Sequence, residues 1–238
     1  MSIVTLETQG TVAVITMNNG ENRHDLEFAN AMLEALEKAI NDKTHTSLVL
    51  TSSDPKSWSQ GVNVNWLMRA MQEQRHDDIR AFMYGMNKVF STLLLCPIPT
   101  IAAISGHAFG NGAILSCACD FRMMRSDRGY FCFPEVDLSI PFLPGMIAFV
   151  KKAMPYYRFN EMKLSGRRVT ADELLEDHVI EKAFPDPESL LEGAIEYAST
   201  FKKKRGIFGE HKKRLHKHII EVMENEDKDY IENLKLMA

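Results

Sequence analysis

The stretch PTIAAISGHAFGNG, Pro99 to Gly112, decides the fold. Thr100 to Ser105 is a short, almost wholly apolar run between the Pro97-Ile98-Pro99 unit and a glycine-rich segment. That composition predicts a buried strand. Gly106 to Gly112 predicts a turn, and Ala113 to Ala118 a buried helical stretch. A glycine-rich turn from strand into helix presents N–H groups with no partner inside the helix. It also carries the positive end of the helix dipole, so it can hold an anion. Tight packing of helix on strand, where glycine is simply the residue that fits, asks for the same pattern.

The plan recurs upstream. Ser47 to Thr51 (SLVLT) reads as a buried strand, and Ser57 to Asn63 (SWSQGVN) as a second glycine-bearing loop after it. Two such loops, brought together, would hold a developing oxyanion. Ile3 to Thr8 and Thr11 to Met17 read as strands joined by a hairpin at Gln9-Gly10. Leu26, Ala29, Leu33, Leu36 and Ile40 fall at helical spacing. Val64 to Met71 and Ile79 to Leu95 read as helices, the second ended by Pro97. Downstream, Phe121 to Met124 and Tyr130 to Phe133 read as strands and Pro134 to Pro144 as a loop. Helical patterns follow over Met146–Met154, Phe159–Leu164, Ala171–Asp177 and Glu188–Lys203, with a last amphipathic stretch from Lys212 to Leu236. Strands alternating with helices, then a helical third, predict an α/β core with a helical appendage. The boundary falls between Phe184 and Gly193, giving a core over 1–188 and a helical region over 189–238.

Composition narrows the function classes. The chain has 238 residues, 45% hydrophobic and 25% charged, enough to bury a core without disulfides or metals. A formal net charge of -4 gives no reason to expect a nucleic-acid partner. Cys96, Cys117, Cys119 and Cys132 fit no disulfide framework, which points to a reducing compartment and a cytoplasmic protein. Val89 to Cys119 lacks Asp, Glu, Lys and Arg, but its prolines and glycines break it into soluble elements rather than a membrane span.

A third segment carries a carboxylate. Glu135 sits among Phe131, Phe133, Val136, Leu138 and Ile140. Desolvation raises a carboxylate's pKa and suits it to act as a base near neutrality. In isolation, such a residue is also an ordinary loop acid or a salt-bridge partner.

The set, in its order, resembles the enoyl-CoA hydratase/isomerase (crotonase) family, over roughly Val4 to Phe184. The residues carrying the resemblance are Trp58 to Asn63, Pro99 to Gly112 with Cys119-Asp120, Asp127 to Leu138 (DRGYFCFPEVDL) and Leu164 to Ala171 (LSGRRVTA). The likeness is greatest to the Δ3,Δ2-enoyl-CoA isomerases. It implies a crotonase-like spiral of ββα units with a helical C-terminal region, an acyl-CoA substrate with no separate cofactor, and a homotrimer or hexamer. It implies that the N–H groups of Val62 and Asn111 form an oxyanion hole and that Glu135 is the catalytic acid–base. Arg23, Ser59, Gly61, Val62, Gly110 and Asn111 become the expected substrate and coenzyme-A contacts. The family's hydratases carry a second glutamate at the position of Ile114; isomerisation needs only one. The expectation is therefore a Δ3-to-Δ2-enoyl-CoA isomerase. Hydration, thioester hydrolysis, decarboxylation and non-catalytic acyl-CoA binding stand as alternatives on the same fold.

Asn111, Asn63 and Gln60 depart from the family's glycine, aspartate and small residue. Asn63 reads as a loop-forming change. His107 reads as a packing or capping residue, with a catalytic role beside the proposed hole as the alternative, and Asp120 as a structural hydrogen-bonding group. Asp137 competes with Glu135 as base, since in an extended segment the two would point the same way. Cys117 and Cys119 read as small buried residues, and no metal site is expected. The basic runs Lys202–Arg205 and Lys212–Arg214 read as solvated helix faces or phosphate contacts. Met68, Met71, Met83 and Met86 read as core filling or as an adaptable acyl tunnel.

Overall fold

A computed structural model describes residues 2–235. In chain order its elements are β1 (Val4–Gln9), β2 (Val12–Met17), β3 (Arg23–His24), α1 (Leu26–Asn41), β4 (Ser47–Ser52), β5 (Ser57–Ser59) and β6 (Gly61–Val62). Then come α2 (Val64–Gln72), α3 (His76–Leu94), β7 (Thr100–Ile104), β8 (His107–Phe109), α4 (Asn111–Ala118), β9 (Phe121–Arg125) and β10 (Phe131–Cys132). After a 3-10 turn at Pro134–Val136 follow α5 (Pro144–Ala153), α6 (Tyr156–Ser165), α7 (Ala171–Glu176), β11 (Lys182–Phe184) and α8 (Pro187–Ser199). Three helices end the chain: α9 (Arg205–Leu215), α10 (Lys217–Asn225) and α11 (Asp227–Glu232).

A six-stranded sheet runs β1-β2-β4-β7-β9-β11, antiparallel only at the β1–β2 hairpin. Its side chains alternate between two cores, as the pleat requires. Ala13, Ile15, Leu48, Leu50, Ala102 and Ile104 face the larger core under the helices, while Val12, Val14, Val49, Ile101 and Ala103 face the smaller one, closed by Leu190, Ala194 and Ala198 of α8. A sheet buried on both faces explains why SLVLT and TIAAIS read as unbroken apolar runs.

A second layer pairs β10-β8-β5, and a third pairs β3-β6. From β2 to β9, each strand of the large sheet is followed by one or two short strands of the smaller sheets and then by one or more helices, whereas β11 runs directly into α8. The chain therefore winds as successive ββα turns. The short strands β5 and β8 lie where the sequence reads as loops. Parallel pairing, Ser57 with His107 and Ser59 with Ala108, draws the two glycine-bearing loops together.

Two expectations need correction. The boundary set at 188/189 falls inside α8, which packs on β2, β4, β7, β9 and β11, so the sheet core continues through Ser199. The last helical stretch, expected from Lys212, begins earlier, at Arg205, and is made of three short helices, while Leu236 lies outside the described residues. The last helices are fastened inward by the buried Asp227, whose carboxylate accepts from Gly145 N–H (2.8 Å) and Asn87 Nδ2 (2.9 Å). Among the described residues no helix is long and apolar enough to cross a membrane.

Candidate active site

The sequence of α4 sets the first half of the site. Asn111 is its first residue, so the Asn111 N–H has no acceptor within the helix. The preceding Gly110 supplies no side-chain cap. Gly110 adopts φ +52°, and a Cβ there would stand 2.7 Å from Glu135 Oε1. Glycine thus lets the carboxylate lie directly on the mouth of the helix.

The second half comes from β6. A Cβ on Gly61, at φ +75°, would stand 2.6 Å from Phe109 O and 2.9 Å from Asn111 N. Only glycine allows this approach of the two loops. β6 pairs with β3 alone. The Asn63 N–H is given to His24 O at 2.8 Å. Because successive N–H groups of a strand point to opposite sides, the Val62 N–H is turned to the edge of β6 away from β3.

Glu135 lies in the 3-10 turn, started by Pro134. Its side chain is buried, and burial pushes its pKa up to about 7 against smaller opposing effects from its own backbone N–H and Lys163. Its Oε2 has no hydrogen-bond partner. Glu135 stands where two cavities meet. Val62, Asn111, Glu135 and Ile140 line both. The inner cavity is otherwise apolar, walled by Leu67, Phe82, Met83, Met86, Phe142 and Met146 among others. The outer one opens past Arg23, Gln60, Phe109 and Leu138. Ile114, one turn along α4 from Asn111, faces the inner cavity on the same side of the helix.

Val62, Gly110, Asn111 and Glu135 therefore meet at one point, with Gly61 behind them and Arg23 at the outer rim, where Nε is paired with Glu21 at 2.9 Å. Of the expected substrate contacts, Gly61 and Ser59 do not line the cavities, and Ser59 is the more remote in its bonding. It is fully buried, its hydroxyl committed to Asn22 O (2.7 Å) and His24 Nε2 (2.9 Å), and it lines neither cavity. Asp137 also departs from the extended picture. The 3-10 turn rotates it away from Glu135, and its carboxylate rests on the outside against Gly166.

His107 lies beside Phe109 and Tyr130, its Nδ1 accepting the Tyr130 N–H at 3.2 Å. Asp120 accepts from Thr100 N–H (2.9 Å) and hydroxyl (3.0 Å) and from Lys212 (2.8 Å). Lys212 is thus buried, not part of a solvated basic face. Asn63 caps α2 through the Trp66 N–H and donates to Asp25, the cap of α1. Met83 and Met86 reach the cavity, whereas Met68 and Met71 are exposed. The residues the sequence reading missed are His24, held in the buried network behind the site, and the loop wall Ile140–Leu143. His24 carries no periodic signal in Asn22-Arg23-His24-Asp25; only the capping Asp25 beside it marks the spot as structured.

A ββα spiral with its cleft at the start of a central buried helix is the crotonase fold, and the crystal structure of an enoyl-CoA hydratase from Bacillus halodurans superimposes with a TM-score of 0.86 at 23% identity, covering 97% of this chain and 94% of that one. The chain belongs to the enoyl-CoA hydratase/isomerase family, whose model matches residues 7–234. That span reaches well beyond Phe184, where the resemblance read from the motifs ends. Among its relatives is the peroxisomal enoyl-CoA delta isomerase 2 of Arabidopsis thaliana, 30% identical over 77% of this chain and 78% of that protein. Enoyl-CoA delta isomerase 3 of the same plant is 28% identical over 84% and 85%.

Proposed function

We propose that the protein is a Δ3-to-Δ2-enoyl-CoA isomerase that works with one carboxylate. The observation that carries this reading is the lining of the inner cavity. Glu135 is its single titratable side chain among the described residues, and Ile114 stands where a second acid would serve hydration. The acyl chain lies in the apolar cavity and the thioester at the junction, with the coenzyme leaving past Arg23. The Glu135 carboxylate takes a proton from C2. The C–H electron pair becomes the C1–C2 double bond of a dienolate, and charge collects on the thioester oxygen. The Val62 and Asn111 N–H groups hold that oxygen, each such donor lowering the barrier by roughly 2.7–4 kcal/mol. The Glu135 carboxyl then returns the proton to C4, leaving the double bond at C2–C3 and the mass unchanged.

The carboxylate form is the working base, and burial places its pKa at about 7. Activity therefore rises with pH through that value. Four buried free cysteines support a reducing, cytoplasmic setting. Exposed Tyr156, Tyr157 and Leu164 on α6 support burial against further copies in a homotrimer or hexamer.

The test offers the purified protein 3-enoyl-CoA and, separately, 2-enoyl-CoA. Expected is conversion of the first to the 2-enoyl thioester without gain of water, and a loss of about 10²–10⁴ in kcat for Glu135→Gln. Mass gain of water from 2-enoyl-CoA at a comparable rate would make it a hydratase. Binding without turnover of either would leave an acyl-CoA-binding protein.

A further inference from the structure

We propose that His24 is a positioning residue that sets the two oxyanion N–H groups relative to one another by bridging Ser59 to Asn111. The proposal rests on the reading of Val62 and Asn111 as oxyanion donors.

The hydrogen-bond roles follow from the partners. Asn22 O can only accept, so the single Ser59 hydroxyl hydrogen goes there, at 2.7 Å. Ser59 Oγ is then an acceptor for the Gly61 N–H (3.1 Å) and for His24 Nε2–H (2.9 Å). With its proton on Nε2, His24 presents a bare Nδ1, which accepts from Asn111 Nδ2 at 2.9 Å. One ring thus spans the loop that carries Gly61-Val62 and the residue that opens α4. The ring is fully buried and stacked on Phe28, centroids 4.2 Å apart and planes 15° apart. Burial drives its pKa down to about 3, so it stays neutral across the working range and keeps its acceptor. Held this way, the Asn111 amide cannot swing into the cleft or cap its own helix, and the Asn111 N–H stays free.

Three substitutions separate this role from packing. His24→Asn places a polar atom where Nδ1 sits and keeps the link to Asn111. His24→Gln reaches instead toward the Nε2 position and Ser59. His24→Phe keeps the stacking and neither link. Turnover of 3-enoyl-CoA is measured with each, together with the absorbance red shift of a bound conjugated dienoyl-CoA, which reports polarisation of the thioester carbonyl without turnover. Expected for His24→Phe is a kcat lowered about tenfold or more with KM within about twofold, and a diminished red shift. His24→Asn restores both measures more fully than His24→Gln. The proposal is overturned if His24→Phe keeps the wild-type kcat and red shift, or if the Asn and Gln variants lose equally. That last comparison decides alone should the Phe variant not fold. Absence of a red shift in the wild-type protein overturns the oxyanion reading itself, and this proposal with it.

Discussion

The two ends of α4 are treated in opposite ways. At the C-terminal end, Cys119 O accepts from both Arg122 Nη1 (3.1 Å) and Lys152 Nζ (2.9 Å), and Asp120 just beyond is paired with Lys212. At the N-terminal end, about 12 Å away, the cap is a glycine with no side chain to offer, and Asn111 turns its amide to His24 instead of the helix mouth. The negative end of the dipole is neutralised by fixed cations, and the positive end is left uncapped. An uncapped buried helix start costs stability unless something fills it. Here the cost falls where the substrate oxygen is proposed to sit.

The largest expected effect tests the filled end. Lys212→Ala removes a buried cation from Asp120 and from Leu93 O. Breaking such a pair costs about 3–5 kcal/mol. Urea titration should show that loss in unfolding free energy, while kcat for the folded variant stays within about twofold. If kcat falls in proportion to stability, the two ends of α4 are coupled rather than independent.

The second test addresses the bare end through Glu135. Its folded pKa of about 7 lies above the usual 4.5, so between those values the folded protein binds the proton more tightly than the unfolded chain. The stabilising effect of burying the neutral acid is full below pH 4.5 and is lost as pH rises through 7. Glu135→Gln, neutral throughout, is expected to exceed the wild type in stability by on the order of 3 kcal/mol at pH 8 and to match it near pH 4.5. His24 and His216, held down to about 3 and about 4 by burial, destabilise both proteins as pH falls below 6.5 and cancel in the difference. A pH-independent difference would place Glu135 in contact with water. The pH dependence of kcat/KM supplies a third and smaller test: it should rise about tenfold per unit below pH 7 and level off above, whereas a fall would make the protonated form the working one.

Much of this contrast is legible in the sequence. TIAAIS followed by a glycine turn gives strand, turn and helix from local chemistry alone, and the apolar company of Glu135 gives its desolvation. Gly61 and Gly110 stand out because glycine is needed where backbones or a carboxylate approach closely. Ser59, His24 and Lys212 are not legible, because each is defined by partners 35 to 119 residues away. Nothing in Trp58-Ser59-Gln60 says that the hydroxyl points inward, and nothing in a Lys-Lys-Arg run says which member is buried. Short strands such as β5 and β8 exist through pairing with each other, so they read as loops.

The smallest expected effect is the one that most cleanly separates pattern from geometry. Glu135 and Asp137 are two residues apart, and in an extended segment both would face the cleft. In a 3-10 turn, at three residues per turn, they point in well-separated directions, and Gly166 lies under the Asp137 carboxylate on the outside of the site. Asp137→Asn should therefore change kcat by less than about twofold, with stability altered by about 0.5 kcal/mol or less as for an ordinary surface position. The measurement is a steady-state comparison with Glu135→Gln under one set of conditions. A loss in Asp137→Asn approaching that of Glu135→Gln would mean that the turn unwinds when substrate enters, bringing the second carboxylate inward. The segment after Pro134 would then be a moving part and the proton would pass between two acids. Near-wild-type turnover leaves the proton with Glu135 alone, and the turn started by Pro134 as the reason why only one of two neighbouring acids takes part.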